Sequence, residues 1–465
     1  MPQIEDQVSE LLQIPSAAEI KAFFFEKTKN LGLEVRPDAG DGRGKGVFAT
    51  KLFLDEELVL EEPHVVSIQH AETRGSGLVC SRCFAMVGSI EEQLANNWDH
   101  EQSVIGGSST NEDETNSSLP KLPCSDEFPL PSIIPCRMGP CCEAVYCSVE
   151  CRDASWHAHH SLLCPANSSN RLERNGCTSS HSTGTNDPLI EEFYQHAEST
   201  NDVFILAAQA VALVLLEAER QLQESNQETE TMKWLALKEA WIPFKMGHKA
   251  LWWDAVALPS DVPTEEEDQF RRDMKEMAED SLNLFIEAIK HRNSTLVEHF
   301  PAAVHLHIWG SLIGMFELNN LSMVVASPVP LWAQEVEDVE NELTEEDKIN
   351  LNKYKSIDAY GGLHGIMECE FEWACLGNAF YSLQACLNHS CVPNARAFKR
   401  DQDKNGNAVI LAVGKISPGE EITISYSSED ADSLEERTEE LRDYGFQCEC
   451  EKCSAERLAL ELQGL

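Results

Sequence analysis

The 465-residue chain carries 79 acidic side chains against 36 basic ones, a net charge of -43. Such a field repels phosphate and anionic lipid, so it excludes direct nucleic-acid binding and membrane adhesion and suits a basic partner. Apolar residues make up 42%, enough to build roughly two to four domain cores.

The first stretch, "MPQIEDQVSELLQ", has acid before its first apolar run and no basic segment, unlike a signal or transit peptide. Residues 33 to 70 alternate turn signals with β-prone runs ("GLEV", "GVFAT", "ELVLEEPHVVSI") and predict a small antiparallel β-unit opened by a Gly-rich turn. Cysteines then crowd residues 80 to 164, interrupted by a polar insertion at about 100–120 that reads as disordered. A Ser/Asn/Thr-rich linker follows to 187, and from 188 to 360 apolar residues recur at helical spacing. The most apolar run, "VFILAAQAVALVLL" from Val203, is 14 residues long, too short to span a bilayer, and reads as a buried helix. His305 and His307 do not share a helical face and read as structural. After "YGGLHG" the chain returns to short β-type runs, "AVILAV" and "EITISY", before "CECEKC" close to residue 453.

Seventeen cysteines without an export signal point to metal ligands in a reducing compartment. Cys80 and Cys83 form one close pair. A second group offers Cys136, Cys141 or Cys142, Cys147, Cys151, His159 or His160, and Cys164, with Cys124 also available. Eight of these ligands complete two tetrahedral zinc sites, and a segment this small and polar needs the metal to fold. Cys448, Cys450 and Cys453 supply three thiolates, and Cys391 is the natural fourth.

Tyr146, Cys147, Ser148, Cys151, Trp156 and Cys164 stand in an order that resembles the MYND zinc finger. The resemblance implies interleaved sites, Cys80, Cys83, Cys147 and Cys151 on one zinc and Cys136, Cys142, His160 and Cys164 on the other. The 52 residues between Cys83 and Cys136 depart from the compact family pattern. "GRGKGVFA" (42–49), "NHSCVPNA" (388–395) and "GEEITISY" (419–426), followed by Cys-x-Cys-x-x-Cys, resemble the motif order of SET-domain lysine methyltransferases. The whole resembles the SET-and-MYND family, with its plant trithorax-related members the nearest match.

The resemblance implies an α+β fold of small sheets around a knot-like crossing. The SET domain would be split between 33–79 and 366–427, with a MYND finger at 80–164, a linker and helical insertion at 165–365, and a post-SET zinc segment at 428–465. It further implies S-adenosylmethionine as methyl donor and three zinc ions. Arg43, Lys45, Asn319, Asn388, His389 and Tyr426 would contact the donor. Tyr426, Tyr444 and Phe446 would form the catalytic aromatic channel, and aromatic residues such as Phe380 or Tyr381 would set the number of methyl groups. The chain ends without the long C-terminal helical domain of many relatives, which implies a shallower substrate groove. The implied activity is protein-lysine N-methylation, with a lysine-rich substrate such as a histone tail, peptide partners at the finger, and a nuclear location with a cytoplasmic fraction. The alternative is a MYND-type interaction scaffold with an inactive SET core.

Overall fold

The computed structural model describes residues 3–40, 42–74, 77–104, 119–139, 142–166, 187–225, 228–247, 250–428 and 430–463. Cys141, the alternative to Cys142, lies outside the described residues, as do 105–118 of the polar insertion and 167–186 of the linker. The helix Ile90–Val104 runs into the start of the segment read as disordered.

The fold is mixed α+β. The strands are β1 (Leu33–Arg36), β2 (Gly46–Ala49), β3 (Leu58–Glu62), β4 (Val66–Gln69), β5 (Ile134–Pro135), β6 (Val145–Tyr146), β7 (Asn320–Val325), β8 (Cys375–Phe380), β9 (Asn388–His389), β10 (Ala395–Ala397), β11 (Ala408–Ala412) and β12 (Glu421–Ile424). They form four small sheets ordered β1-β2-β12-β9, β10-β11-β3, β4-β8-β7 and β5-β6. The stretch 33–70, expected to be one β-unit, is therefore shared among three sheets. Only β1 and β2 pair with each other, around the Gly-rich turn, and β3 and β4 each take partners more than 300 residues away.

The first sheet positions the site. β12 pairs antiparallel with β2 on one side and parallel with β9 on the other. A parallel neighbour so near in sequence requires a crossover, and here the chain leaves through β10 and β11 in another sheet before returning. Asn394 ties the crossover down: its Nδ2 donates to Glu421 O (2.8 Å) and its Oδ1 accepts from Thr423 N–H (2.9 Å). Val47, Phe53, Leu60, Leu383, Leu387, Ile410, Ile422 and Ile424 make the core of this region, with Phe24 of the helix Ala17–Thr28 closing it.

A second core is helical. The helix Val203–Ser225 buries a continuous run from Val203 to Ala208, as its uniformly apolar sequence predicts. Among the described residues no helix is long and apolar enough to cross a membrane. Helices Pro188–Thr200, Glu230–Lys245, Glu267–His299 and Leu306–Asn319 pack with it through Phe193, Trp241, Phe285, Trp309 and Phe316. Val66 and Ile68 of β4 belong to this helical core, and Gln209 ties the strand to the helix, its Oε1 accepting the Ser67 N–H (3.1 Å). Among the described residues, β7 is the one strand inside the stretch 188–360 expected to be helical. Its "NLSMVV" follows a helix directly and pairs with β8, so tertiary pairing overrides the helical context.

Candidate functional site

Among the described residues, three groups of four possible metal ligands assemble: Cys80, Cys83, Cys147 and Cys151; Cys136, Cys142, His160 and Cys164; and Cys391, Cys448, Cys450 and Cys453. In each, the ligand atoms lie within 4.8 Å of one another. A tetrahedral zinc with Zn–S of about 2.3 Å has S···S edges of about 3.8 Å. The observed edges match: 3.5 Å for Cys83–Cys147 and Cys147–Cys151, 3.9 Å for Cys136–Cys164, and 3.7 and 3.5 Å from Cys391 to Cys448 and Cys453. His160, rather than His159, points its Nε2 at Cys136 and Cys142 (3.4 and 3.5 Å). It stands four residues before Cys164, at the end of a widened helical turn at Trp156–His160, and its ring is flanked by Tyr146 and Trp156. Cys124 is in none of the three groups and packs instead beside Trp332 and Leu122. The cluster around these two ligand groups holds few other buried side chains, chiefly Val87, Tyr146 and Ala166, while Phe84, Leu94 and Leu163 pack into neighbouring cores, so the donor set fits a metal that holds this part of the fold.

The second feature is the meeting of "GRGKG" with "NHSC". Gly42 and Gly44 adopt left-handed backbone (φ 74° and 73°), which glycine takes without strain. Space lies open where their Cβ atoms would be. Asn388 donates both amide hydrogens, to Lys45 O (3.0 Å) and to Glu421 Oε1 (2.8 Å). Glu421 Oε2 in turn accepts from Arg43 Nη1 (2.7 Å), whose Nη2 reaches Ala39 O (2.9 Å). The Lys45 ammonium makes no ion pair among the described residues. β9 is the edge strand of its sheet, so Asn388 and His389 present backbone polar groups away from β12.

The third feature is an aromatic cluster. Tyr426 lies 4.8 Å from Tyr444, 5.4 Å from His389 and 6.4 Å from Phe446, centroid to centroid. The Tyr426 hydroxyl donates to Leu387 O (2.6 Å), and burial pushes its phenol well above the usual range. The Tyr426 N–H donates to His389 Nδ1 (2.9 Å). Burial holds His389 down to about 4, so the ring is neutral with its proton on Nε2, which faces Cys391 Sγ at 3.1 Å. One imidazole thus touches both the tyrosine and the third ligand group.

The SET domain model matches residues 44–427. The histone-lysine N-methyltransferase ATXR2 of Arabidopsis thaliana is 38% identical over 465 residues, covering 91% of this chain and 90% of that protein. The protein-lysine N-trimethyltransferases SMYD5 of Homo sapiens and Mus musculus are each 25% identical, covering 92% and 89% of this chain and 87% and 85% of their own lengths. The chain belongs to the SET-domain family of protein-lysine methyltransferases.

SET membership implies S-adenosylmethionine, and the residues fit it: an open glycine turn, an unpaired lysine and an edge strand converge on one corner. Asn319 stands apart from these bonds. It ends the helix Leu306–Asn319 and its Nδ2 donates back to Met315 O (2.8 Å). Phe380 packs on Phe316, and Tyr381 is buried with its hydroxyl on Gly406 O; neither ring contacts Tyr426. His305 caps the helix that follows it by accepting the His307 N–H (3.2 Å).

Two carboxylates of the SET core escaped the motif reading. Glu62 is buried at the end of β3 and accepts N–H bonds from Leu383 (3.0 Å) and Gln384 (2.9 Å) and the Ser382 hydroxyl (3.1 Å), fixing the turn that leads to Leu387. Burial raises its carboxyl above the usual range. Glu421 is the other. Strand alternation gives a signal for Glu62, since an inward Leu60 puts 62 inward as well.

Proposed function

We propose that this protein transfers methyl groups from S-adenosylmethionine to a lysine of a histone or a similarly basic protein, and that zinc occupies all three ligand groups. The bound donor supplies a sulfonium methyl for in-line transfer. The chain's part is positioning. Lys45 and Arg43 attract the donor's carboxylate, and the edge of β9 holds its body. Tyr426, Tyr444 and Phe446 wall the lysine's path, and an apolar wall favours the neutral amine, which must lose the proton it holds in water up to pH of about 10.4. Because the Tyr426 proton is committed to Leu387 O, the lone pairs of its oxygen are left to orient the amine. A phenol held protonated by burial is no general base. Asn319 is proposed as a further donor contact once its bond to Met315 O opens.

Residues 33–79 and 366–427 are read as the two parts of the SET domain, 80–164 as the MYND finger, 165–365 as linker and helical insertion, and 428–465 as a metal-bound tail. Histone substrates, and with them a nuclear location, are supported by the name of the Arabidopsis relative and by the charge of -43, which suits a Lys-rich tail. The finger is free to take peptide partners as well.

The carrying observation is the Tyr426–Leu387 hydrogen bond set between the edge strand and the aromatic wall. The test is label transfer from S-adenosylmethionine to core histones. Wild type is expected to label them, and Tyr426→Phe to lower kcat by roughly 100-fold or more with donor affinity kept. Donor binding without transfer to any protein substrate would instead leave an interaction scaffold.

A further inference from the structure

We infer that Glu421 is the positioning residue for the charged end of the methyl donor, an inference that rests on the donor-site reading above. Its two oxygens serve two segments far apart in the chain. Oε1 accepts from Asn388 Nδ2 (2.8 Å) on β9, and Oε2 accepts from Arg43 Nη1 (2.7 Å) on the glycine turn. The Glu421 side chain is only 14% exposed, so its bond to Asn388 is partly shielded from competing water, whereas Arg43, 40% exposed, meets it from the solvent side.

The arrangement fixes an otherwise ambiguous amide. A carboxylate oxygen and the Lys45 carbonyl can both be met only by NH2, so the Asn388 amide has one orientation. Its Oδ1 then accepts no hydrogen bond among the described residues and stands as a spare acceptor beside the edge of the sheet. An α-amino acid end carries an ammonium and a carboxylate. The oriented Oδ1 suits the ammonium, and Arg43, held in place by Oε2, together with the unpaired Lys45, suits the carboxylate.

Gly46 supports the same conclusion. A Cβ there would stand 2.8 Å from Glu421 Oε1 and 2.8 Å from Ala39 Cβ. The third glycine of the turn thus leaves room for this carboxylate, whereas Gly42 and Gly44 answer a backbone demand.

The experiment uses full-length, zinc-loaded protein, with S-adenosylmethionine binding followed by calorimetry beside steady-state kinetics. Glu421→Gln is expected to raise the donor Kd and KM by roughly 10- to 100-fold, the loss of one or two charge-assisted hydrogen bonds. At saturating donor, kcat and the KM for protein substrate are expected to stay within about threefold of wild type. Adding Arg43→Met to Glu421→Gln should cost less than the two separate losses together, because the pair acts as a unit. Glu421→Asp keeps the charge but is too short to reach both partners, and it carries the same comparison if Glu421→Gln does not fold. Unchanged donor affinity in these variants overturns the inference. So does tighter binding, which would make the Arg43–Glu421 pair a latch that the donor has to open. A wild type without donor affinity would sink the donor-site reading itself.

Discussion

His64 sits between β3 and β4, where the SET core meets the finger, with its ring 5.6 Å from Phe84 and 6.3 Å from Tyr381. Burial, aided by the positive charge of Arg82, holds it down to about 4. The folded state therefore prefers the neutral ring, and the stability this contributes is whole above the unfolded value of about 6.5. It is lost as pH falls from there through 4, by roughly 3 kcal/mol at full protonation. Melting curves from pH 7.5 to 4.5 are expected to show a smaller acid loss in His64→Phe than in wild type. An identical loss in both would remove His64 from the account. At this same scale the sequence was readable where chemistry is local. Tyr426 and the Asn388–His389 pair stood in recognisable motifs, whereas the tasks of Glu62 and Glu421 depend on partners more than 30 positions away along the chain.

Among elements, the three Cys/His groups were the most legible, because Cys-x-x-Cys and His-x-x-x-Cys spacings are local geometry that survives any fold. His160 is preferred over His159 by its His-x-x-x-Cys spacing to Cys164, and the widened turn at Trp156–His160 is where its ring comes to face Cys136. β7 was not legible, because six residues between helical segments carry too little period-2 signal to outweigh their context. Metal analysis is expected to find three zinc ions per chain. Chelation should loosen the finger around its ligands, where Val87, Tyr146 and Ala166 alone cannot replace a metal contribution of about 10–16 kcal/mol per site. In the tail, Arg437 is 2% exposed and lies 3.9 Å from Cys453, a buried cation against a thiolate group. Cys453→Ala is therefore expected to release one zinc and raise the KM for protein substrate through Tyr444 and Phe446. Loss of all three zincs in that variant would contradict separate sites.

For the whole molecule, charge is the feature composition revealed most directly. Exposed carboxylates cover the helix Leu434–Leu441, just ahead of Tyr444, and recur along Val329–Asp338. A basic substrate approaching such a surface is steered by a field that salt screens over a Debye length of about 8 Å at physiological ionic strength. The KM for a histone substrate is expected to rise roughly tenfold between low salt and about 0.3 M, with kcat unchanged. A flat KM would assign recognition to apolar contacts instead.

The sheet order β1-β2-β12-β9 sets when the molecule can be finished. β2 leaves the ribosome early, yet its neighbour β12 ends at Ile424. A nascent chain therefore carries half a catalytic corner through most of translation, with the apolar flank of β2 waiting for a strand not yet made. Whatever shields that flank in the meantime, a chaperone or the helical insertion folding beside it, governs the yield of active enzyme in the cell.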